Sequence, residues 1–402
     1  MQIMKIRTFT WAIGMATICL FSCHSGSQGV AMTDHVMIGG MANGGEMEKT
    51  LEVVRFSGIE SRLAVDIHYT QGAEYSVKVR ASQDVMDRAS IFVSGSTLIL
   101  KMKKDAEDDD RDTRDKKLTL FVTAPKINSL ENSGSMKFKT MQMGNGGLHI
   151  VNKGQLDVCV QKIVGKSGNG LSIDNTGRMT VEASDVDMTQ VSLENKGVLT
   201  FTHNGLKSEK MTIDNFGKMT FSGKVTSQTA DLNNAGVCHV TSAFNLTDSY
   251  TFNNSGRFDM IGDVSGKEAC LKNLGVCRME SSFDVTGSYS YSNSGRSEGH
   301  GDVVARTISI FNSGIDKKEG KLNADGLTMK ISGKSHYDMD YAGGDVTLDC
   351  KGVGHFNLGL DCRSIKVNSS GRINVTLSGT ADNTLLEGLG VSHVNTSKLN
   401  KF

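Results

Sequence analysis

From about residue 125 to the end of the chain, apolar and polar residues alternate in short runs, and each run is built around a glycine that returns every 19 or 20 residues. The glycines are Gly134, Gly154, Gly177, Gly197, Gly217, Gly236, Gly256, Gly275, Gly295, Gly314, Gly333, Gly352, Gly371 and Gly390, with steps between 19 and 23 residues. Four residues before each stands an apolar side chain, from Leu130 and Ile150 through Phe252 and Tyr291 to Leu386, without a polar exception. Four residues after come Phe138, Val158, Val181, Phe201, Phe221, Val240, Met260 and Met279, while the intervening positions carry Arg, Lys, Ser, Thr and Glu. Period two predicts strands with one buried face. A helical solenoid needs period 3.6 and good helix formers, and Gly, Asn, Ser, Thr and Val dominate instead. A repeat this short is half a propeller blade. The pattern therefore predicts an all-β chain: a parallel β-solenoid, in its commoner right-handed β-helix form, of about 14 coils of 19–20 residues over 125–402. At the usual strand spacing the coils stack to roughly 60–65 Å.

Two residues before the glycine, the chain writes Asn132, Asn152, Asn175, Asn195, Asn215, Asn234, Asn254, Asn273, Asn293 and Asn312. These share the parity of the buried apolar positions. Ten stacked amides satisfy one another as a ladder, each donating to the carbonyl of the next. The glycine after them is expected either at positive φ or where the turning backbone approaches the neighbouring coil. An Asn-Gly hairpin is the competing reading, but it predicts antiparallel pairs with two-residue loops and leaves the constant register of the apolar columns unexplained. The ladder stops where Ile331, Cys350, Ser369 and Gly388 replace Asn. Near that point Ser297, Gly299, Asp316 and Lys318 take positions that are apolar in earlier coils. A bulge or register shift at Ile315 would restore the pattern; without one, this is the weak segment of the stack.

The chain's start reads as a targeting segment. Two cations precede an uncharged run from Thr8 to Leu20, too short to span a membrane, and "LFSC" at 20–23 resembles a bacterial lipoprotein signal with Cys23 as the lipidated residue. Residues 24–45, rich in Gly, Ser and Met, read as a flexible tether. Residues 46–124 lack the repeat and alternate strongly, giving four to six strands of a small β-rich N-terminal region. The mixed charges of "KKDAEDDDRDTRDK" at 103–116 lack the ligand order of a calcium loop and read as a solvated hairpin tip.

Composition sharpens this in two ways. The chain has 45 glycines and one proline, Pro125, which excludes collagen-like and disordered classes. Lys plus Arg and Asp plus Glu balance at 44 each, so net charge gives no reason to expect nucleic acid as a partner.

"RFSGIESRLAVDIHYTQGAEYSVKVRA", "SGSTLILKM" and "VTAPKINSLENSGSMKF" resemble the head GIN domain family of auto-transporter adhesins, found in Bacteroidetes lipoproteins. Phe56, Gly58, Ile59, Gly72, Val77, Leu98, Pro125 and Gly134 carry the match. The resemblance implies an exported all-β solenoid in the cell envelope. Surface-exposed lipoproteins of this group tend to place acidic residues after the lipidated cysteine, and "HSGSQ" here leans toward the periplasmic side of the outer membrane.

Of eight cysteines, Cys19 leaves with the signal and Cys23 takes the lipid. Cys238 and Cys277 share a buried column two coils apart, about 9–10 Å, beyond disulfide reach. Cys350 takes an Asn position, and Cys159 and Cys270 have outward parity. The thiols read as free, and no Cys/His spacing suggests a metal. One outward face gathers Glu298, His300 and Asp302, then His336, Asp338 and Asp340, then His355, with Lys317, Glu319 and Lys321 between. Such a face could hold the acid and base of a polysaccharide-cleaving β-helix. Charged residues on exposed strands also pair across coils as a matter of course. The coils carry almost no inserted loop to wall a cleft, which favours a non-enzymatic envelope lipoprotein without cofactor. Its partners would be the membrane, through the lipid, and a glycan or an envelope protein.

Overall fold

The computed structural model describes residues 38–42, 45–103, 118–144, 146–165, 168–388 and 391–401. The signal segment, Cys23, most of the tether, the bulk of the charged 103–116 stretch and Gly390 lie outside the described residues. The described chain is a nearly all-β parallel solenoid of about 14 turns.

One coil shows how the sequence makes the fold. Lys210–Asn215 forms the first strand, Phe216 and Gly217 the corner, and Lys218–Ser227 the second strand. Met211, Ile213, Asn215, Met219, Phe221 and Val225 point inward and are buried. Coils stack in strict register: Leu193, Ile213, Leu232 and Phe252 are direct neighbours in sequence order. Rings stack along the axis, as with Phe201 and Phe221, whose centroids lie 5.7 Å apart.

The second strand bends midway, and a one-residue deletion at the bend shortens the step from Gly217 to Gly236, whereas later coils change length after the second strand, where Ser227 pairs with Leu246 but Ala230 with Tyr250. In Val198–Lys207 the inward residues are Leu199, Phe201, His203 and then Leu206, a slip of one in the period. The next coil deletes that residue, and Gly205 pairs with Lys224. Its bend is made by Gly223 at φ 137°, and Gly262, Gly301 and Gly320 do the same work in later coils. The described repeat glycines themselves, Gly134 to Gly371, are not at positive φ. They are needed for close approach, because a Cβ on any of them from Gly154 to Gly371 overlaps the carbonyl oxygen of the glycine one coil earlier.

Parallel stacking also reaches back into the N-terminal region. Gly58–Ser61 pairs with Ser129–Asn132, and Ala64–Gln71 with Ser135–Gly144, putting Ser61 in the Asn column. Thr97–Met102 and Thr119–Ala124 stack on the other side of the same strands, so a later segment lies outside an earlier one. Antiparallel pairing then takes over: Ser76–Ser82 joins Thr119–Ala124, Glu46–Leu51 joins Ser76–Ser82, and Ala89–Ser94 joins Thr97–Met102. The region holds seven strands, one or more beyond the expected four to six, and the short helix Gln83–Arg88. Reversal of strand direction occupies backbone groups that would otherwise form an open parallel edge.

Candidate functional site

The asparagine column is the most regular polar feature. Each Nδ2 from Asn132 to Asn293 donates to the Oδ1 of the next asparagine at 2.7–2.8 Å. The same nitrogen lies near two main-chain carbonyls; for Asn254 these are Gly256 O and Val276 O, both at 3.1 Å. All ten are buried. The column ends when Asn312 donates to Ser335 Oγ at 2.8 Å. At the other end Asn132 Oδ1 has no donor, because Ser61 turns its hydroxyl to Leu63 O. These amides are enclosed, and they offer nothing to a ligand.

Where the ladder ends, a polar cluster sits in the core. No register shift occurs at Ile315: Ser297 pairs with Asp316 and Gly299 with Lys318, in line with the coils on both sides. The bulge that would restore the apolar pattern is absent, and the polar side chains go inside. Asp316 is 2% exposed and accepts a hydrogen bond from the Tyr337 hydroxyl at 2.6 Å, with Tyr291 at 3.4 Å. Lys318 Nζ lies 3.9 Å from Asp316 and 3.8 Å from the centre of the Tyr291 ring. Gly299 makes room for it, since a Cβ there would stand 2.8 Å from Lys318 Nζ. Burial first, and the Asp316 carboxylate second, push the Tyr291 and Tyr337 hydroxyls well above the ordinary range. A cavity of about 30 Å³ beside Lys318, lined also by Tyr289, His300 and Glu319, has room for about one water. This is a compensated buried ion pair, too closed for substrate.

The face at 298–357 has the register that its sequence spacing gives. Glu298, Lys317, His336 and His355 are successive neighbours, as are His300, Glu319, Asp338 and Asn357; Lys321 pairs with Asp340. Glu319 meets His300 Nδ1 at 3.1 Å and Lys317 at 2.7 Å, and Glu298 meets both at 3.6–3.7 Å. The Lys317 hydrogen bond holds the Glu319 carboxyl below its usual range. Asp302 accepts from the Lys321 main-chain N–H, and the His336 and His355 rings stack at 5.3 Å. The groups are brought side by side, and the charges of Glu298, His300, Lys317 and Glu319 are spent on one another, while Asp338 and Asp340 have no ion pair among the described residues. Among the described residues no three His, Cys, Asp or Glu side chains form a metal-binding group.

Elsewhere, the Asn-x-Gly corner carries two shallow troughs of about 260 and 280 Å³, with Phe216, Asn233, Asn253 and Leu274 around the first and Phe311, Lys330 and Lys351 around the second. The six described cysteines are free; Cys238, Cys277, Cys350 and Cys362 are buried, and Cys159 and Cys270 exposed.

The family model described as "Putative auto-transporter adhesin, head GIN domain" matches residues 55–257, half of the chain. The chain belongs to this family. The matched span covers the out-of-order N-terminal coils together with the corner and ladder of the following ones, and the later coils repeat the same cross-section. Three solved structures are similar to this head GIN chain. A "putative adhesin" from Bacteroides fragilis is 15% identical over 65% of this chain and 96% of that one, with TM-score 0.34. A "putative adhesin" from Parabacteroides distasonis is 12% identical over 88% and 98%, TM-score 0.28. A "Putative lipid binding protein" from the same species is 11% identical over 88% and 97%, TM-score 0.20. No curated protein matches the chain.

Proposed function

We propose that this head GIN protein is a non-enzymatic cell-envelope lipoprotein, a solenoid that binds or spaces envelope or extracellular components. The observation that carries the reading is the absence of loop-built walls over the coils of 168–388: the corners are no more than two residues long, and Glu298, His300, Lys317 and Glu319 pair with one another across an open strand face. Catalytic clefts on repeat scaffolds are assembled from insertions. The adhesin description of the family supports a binding role. The leader sequence supports anchoring through Cys23, and "HSGSQ" favours the periplasmic side of the outer membrane in this reading.

Two measurements test this. Fractionation of cells carrying the wild type and Cys23→Ala should move the protein from the membrane to the soluble envelope fraction, and externally added protease should spare the anchored protein in intact cells. Shedding by that protease would put it on the cell surface instead. Cleavage of acidic glycans by the purified protein, lost in both His336→Ala and Asp338→Ala, would replace the non-enzymatic reading with a catalytic one.

A further inference from the structure

Ser135 and Gln155 follow the first two repeat glycines, but from Gly177 to Gly371 the residue directly after the glycine is outward and its identity follows a two-coil rhythm that stacking does not require. Arg178, Lys218, Arg257, Arg296, Lys334 and Arg372 occupy alternate coils. Val198, Val237, Val276, Ile315 and Val353 occupy the coils between. Strand register places them in one line. At the usual strand spacing the cations stand ~9.6 Å apart along a row of ~48 Å. Five of the six have no ion-pair partner among the described residues; Arg257 has Asp259 at 3.6 Å. In the eleven corner triplets from 176–178 to 370–372 there is no acidic residue. The nearest acids on the strand, Asp259 and Glu298, belong to the next outward column, and Glu298 is engaged by Lys317 and His300.

Repulsion explains why like charges skip a coil, but any neutral polar residue would serve between them. The chain instead places β-branched aliphatics that are 43–52% exposed at Val237, Val276, Ile315 and Val353. On the other side of the glycine line lie the two corner troughs, with exposed Phe216 and Phe311, the amides of Asn233 and Asn253, and Lys272 and Lys330; Asp349 is the one acid lining the second trough. Cations at a fixed long interval, apolar contact between them, and amide- and aromatic-lined troughs alongside match an extended glycan that carries one negative charge per disaccharide. A nucleic-acid backbone, with a charge every ~3.4 Å per strand, does not match the interval.

We infer that the Asn-x-Gly corner is the binding edge for an extended acidic polysaccharide, held by the alternating cation row. This rests on the binding role proposed above and gives it a ligand class. The test uses the full-length mature protein and hyaluronate, whose carboxylates recur once per disaccharide, with dextran and phosphatidylglycerol vesicles as comparators. Hyaluronate should bind, dextran should not, and binding should weaken with added salt. Arg178→Ser/Arg296→Ser/Arg372→Ser should weaken binding roughly ten- to hundred-fold, taking three exposed charge contacts together. Lys207→Ser/Lys267→Ser/Arg306→Ser, with the same change in net charge at positions away from the row, should change it less than about threefold. Circular dichroism and urea midpoints check that both variants are folded. Equal weakening by the two triples, no hyaluronate binding at low salt, or capture by the vesicles alone would overturn the inference. Chain length of the hyaluronate after incubation is read separately: shortening would sink the non-enzymatic role while leaving the binding edge standing.

Discussion

Replacing Asn254 by Leu removes one rung from the middle of the ladder while nearly conserving volume. In the wild type Asn254 accepts from Asn234 at 2.8 Å and donates to Asn273 at 2.7 Å. In the variant, Asn234 Nδ2 keeps Gly236 O and Arg257 O, at 3.1 and 2.9 Å, so the donor side remains satisfied. The acceptor side does not, because Asn273 Oδ1 loses its donor in a residue with 0% exposure. A lost buried hydrogen bond costs about 0.5–1.5 kcal/mol and an orphaned buried acceptor about 1–3, so Asn254→Leu should destabilise its neighbourhood by roughly 2–4 kcal/mol. Asn132→Leu is the internal control. Its own Oδ1 is already without a donor, so the substitution removes one unsatisfied group as it creates another, and should cost about 1–3 kcal/mol less. Stacked repeats open locally, so the readout is amide hydrogen exchange resolved by coil, over 249–279 for the first variant and 129–158 for the second. If both variants fold and Asn254→Leu shifts local opening by less than about 0.5 kcal/mol, or Asn132→Leu costs as much, the ladder is not a stabilising network and the reasoning fails.

Other residues give sharper tests of what lies inside. His203 is buried between Phe201 and Phe221 with neither ring nitrogen bonded, and burial holds its pKa at about 4, below the ordinary 6.5. Its folded pKa is depressed, so stability is level above about pH 6.5 and falls by up to roughly 3 kcal/mol as pH drops toward about 4; urea titrations should show this fall, and His203→Leu should lack it. Asp316→Ala strands the Lys318 ammonium and should cost about 3–5 kcal/mol, whereas Asp316→Leu/Lys318→Met should recover most of that in the same denaturation assay. Burial pushes the Cys238 and Cys277 thiols up to about 12, so a disulfide reagent should titrate Cys159 and Cys270 at once in the native protein and the other described thiols only after unfolding.

The repeating cross-section was readable because stacking makes the same demand on every coil. Ile213, Asn215, Gly217 and Phe221 each face a fixed environment one strand spacing away, so each position admits few side chains and the period emerges from one sequence. The N-terminal coils were hidden for a topological reason. Gly58–Ser61 joins the stack at Ser129–Asn132, about seventy residues on, and the segment that follows it stacks on its far side. No fixed step relates such strands. At Asp316 and Lys318 the sequence left two outcomes open, a register shift that expels two charges or a polar core, and the structure takes the second. The compensating residues lie on other coils: Tyr291 in the column of Ile and Leu, Tyr337 two residues after the ladder's terminal Ser335, and Gly299 opposite the lysine. A small residue facing a long cation, flanked by tyrosines, was the available signal.

Two periods therefore run through the chain, and they separate structure from binding. The one-coil period of Asn, Gly and the apolar columns is fixed by backbone geometry and is entirely internal, so it cannot distinguish one ligand from another. The two-coil period of Arg or Lys and Val or Ile is external and touches none of the stacking constraints. Neighbouring outward columns show what is normal when only solvent is faced: the next column on the strand runs Thr180, Thr200, Thr220, His239, Asp259, Arg278, Glu298, Lys317, with mixed signs that pair across coils. Against that background, a row of one sign, evenly spaced and left largely unpaired over ten coil steps, is the exterior feature that solvent exposure and stacking leave unexplained. Its spacing is set by the backbone, which makes the solenoid a ruler for any polymer charged at twice the coil interval.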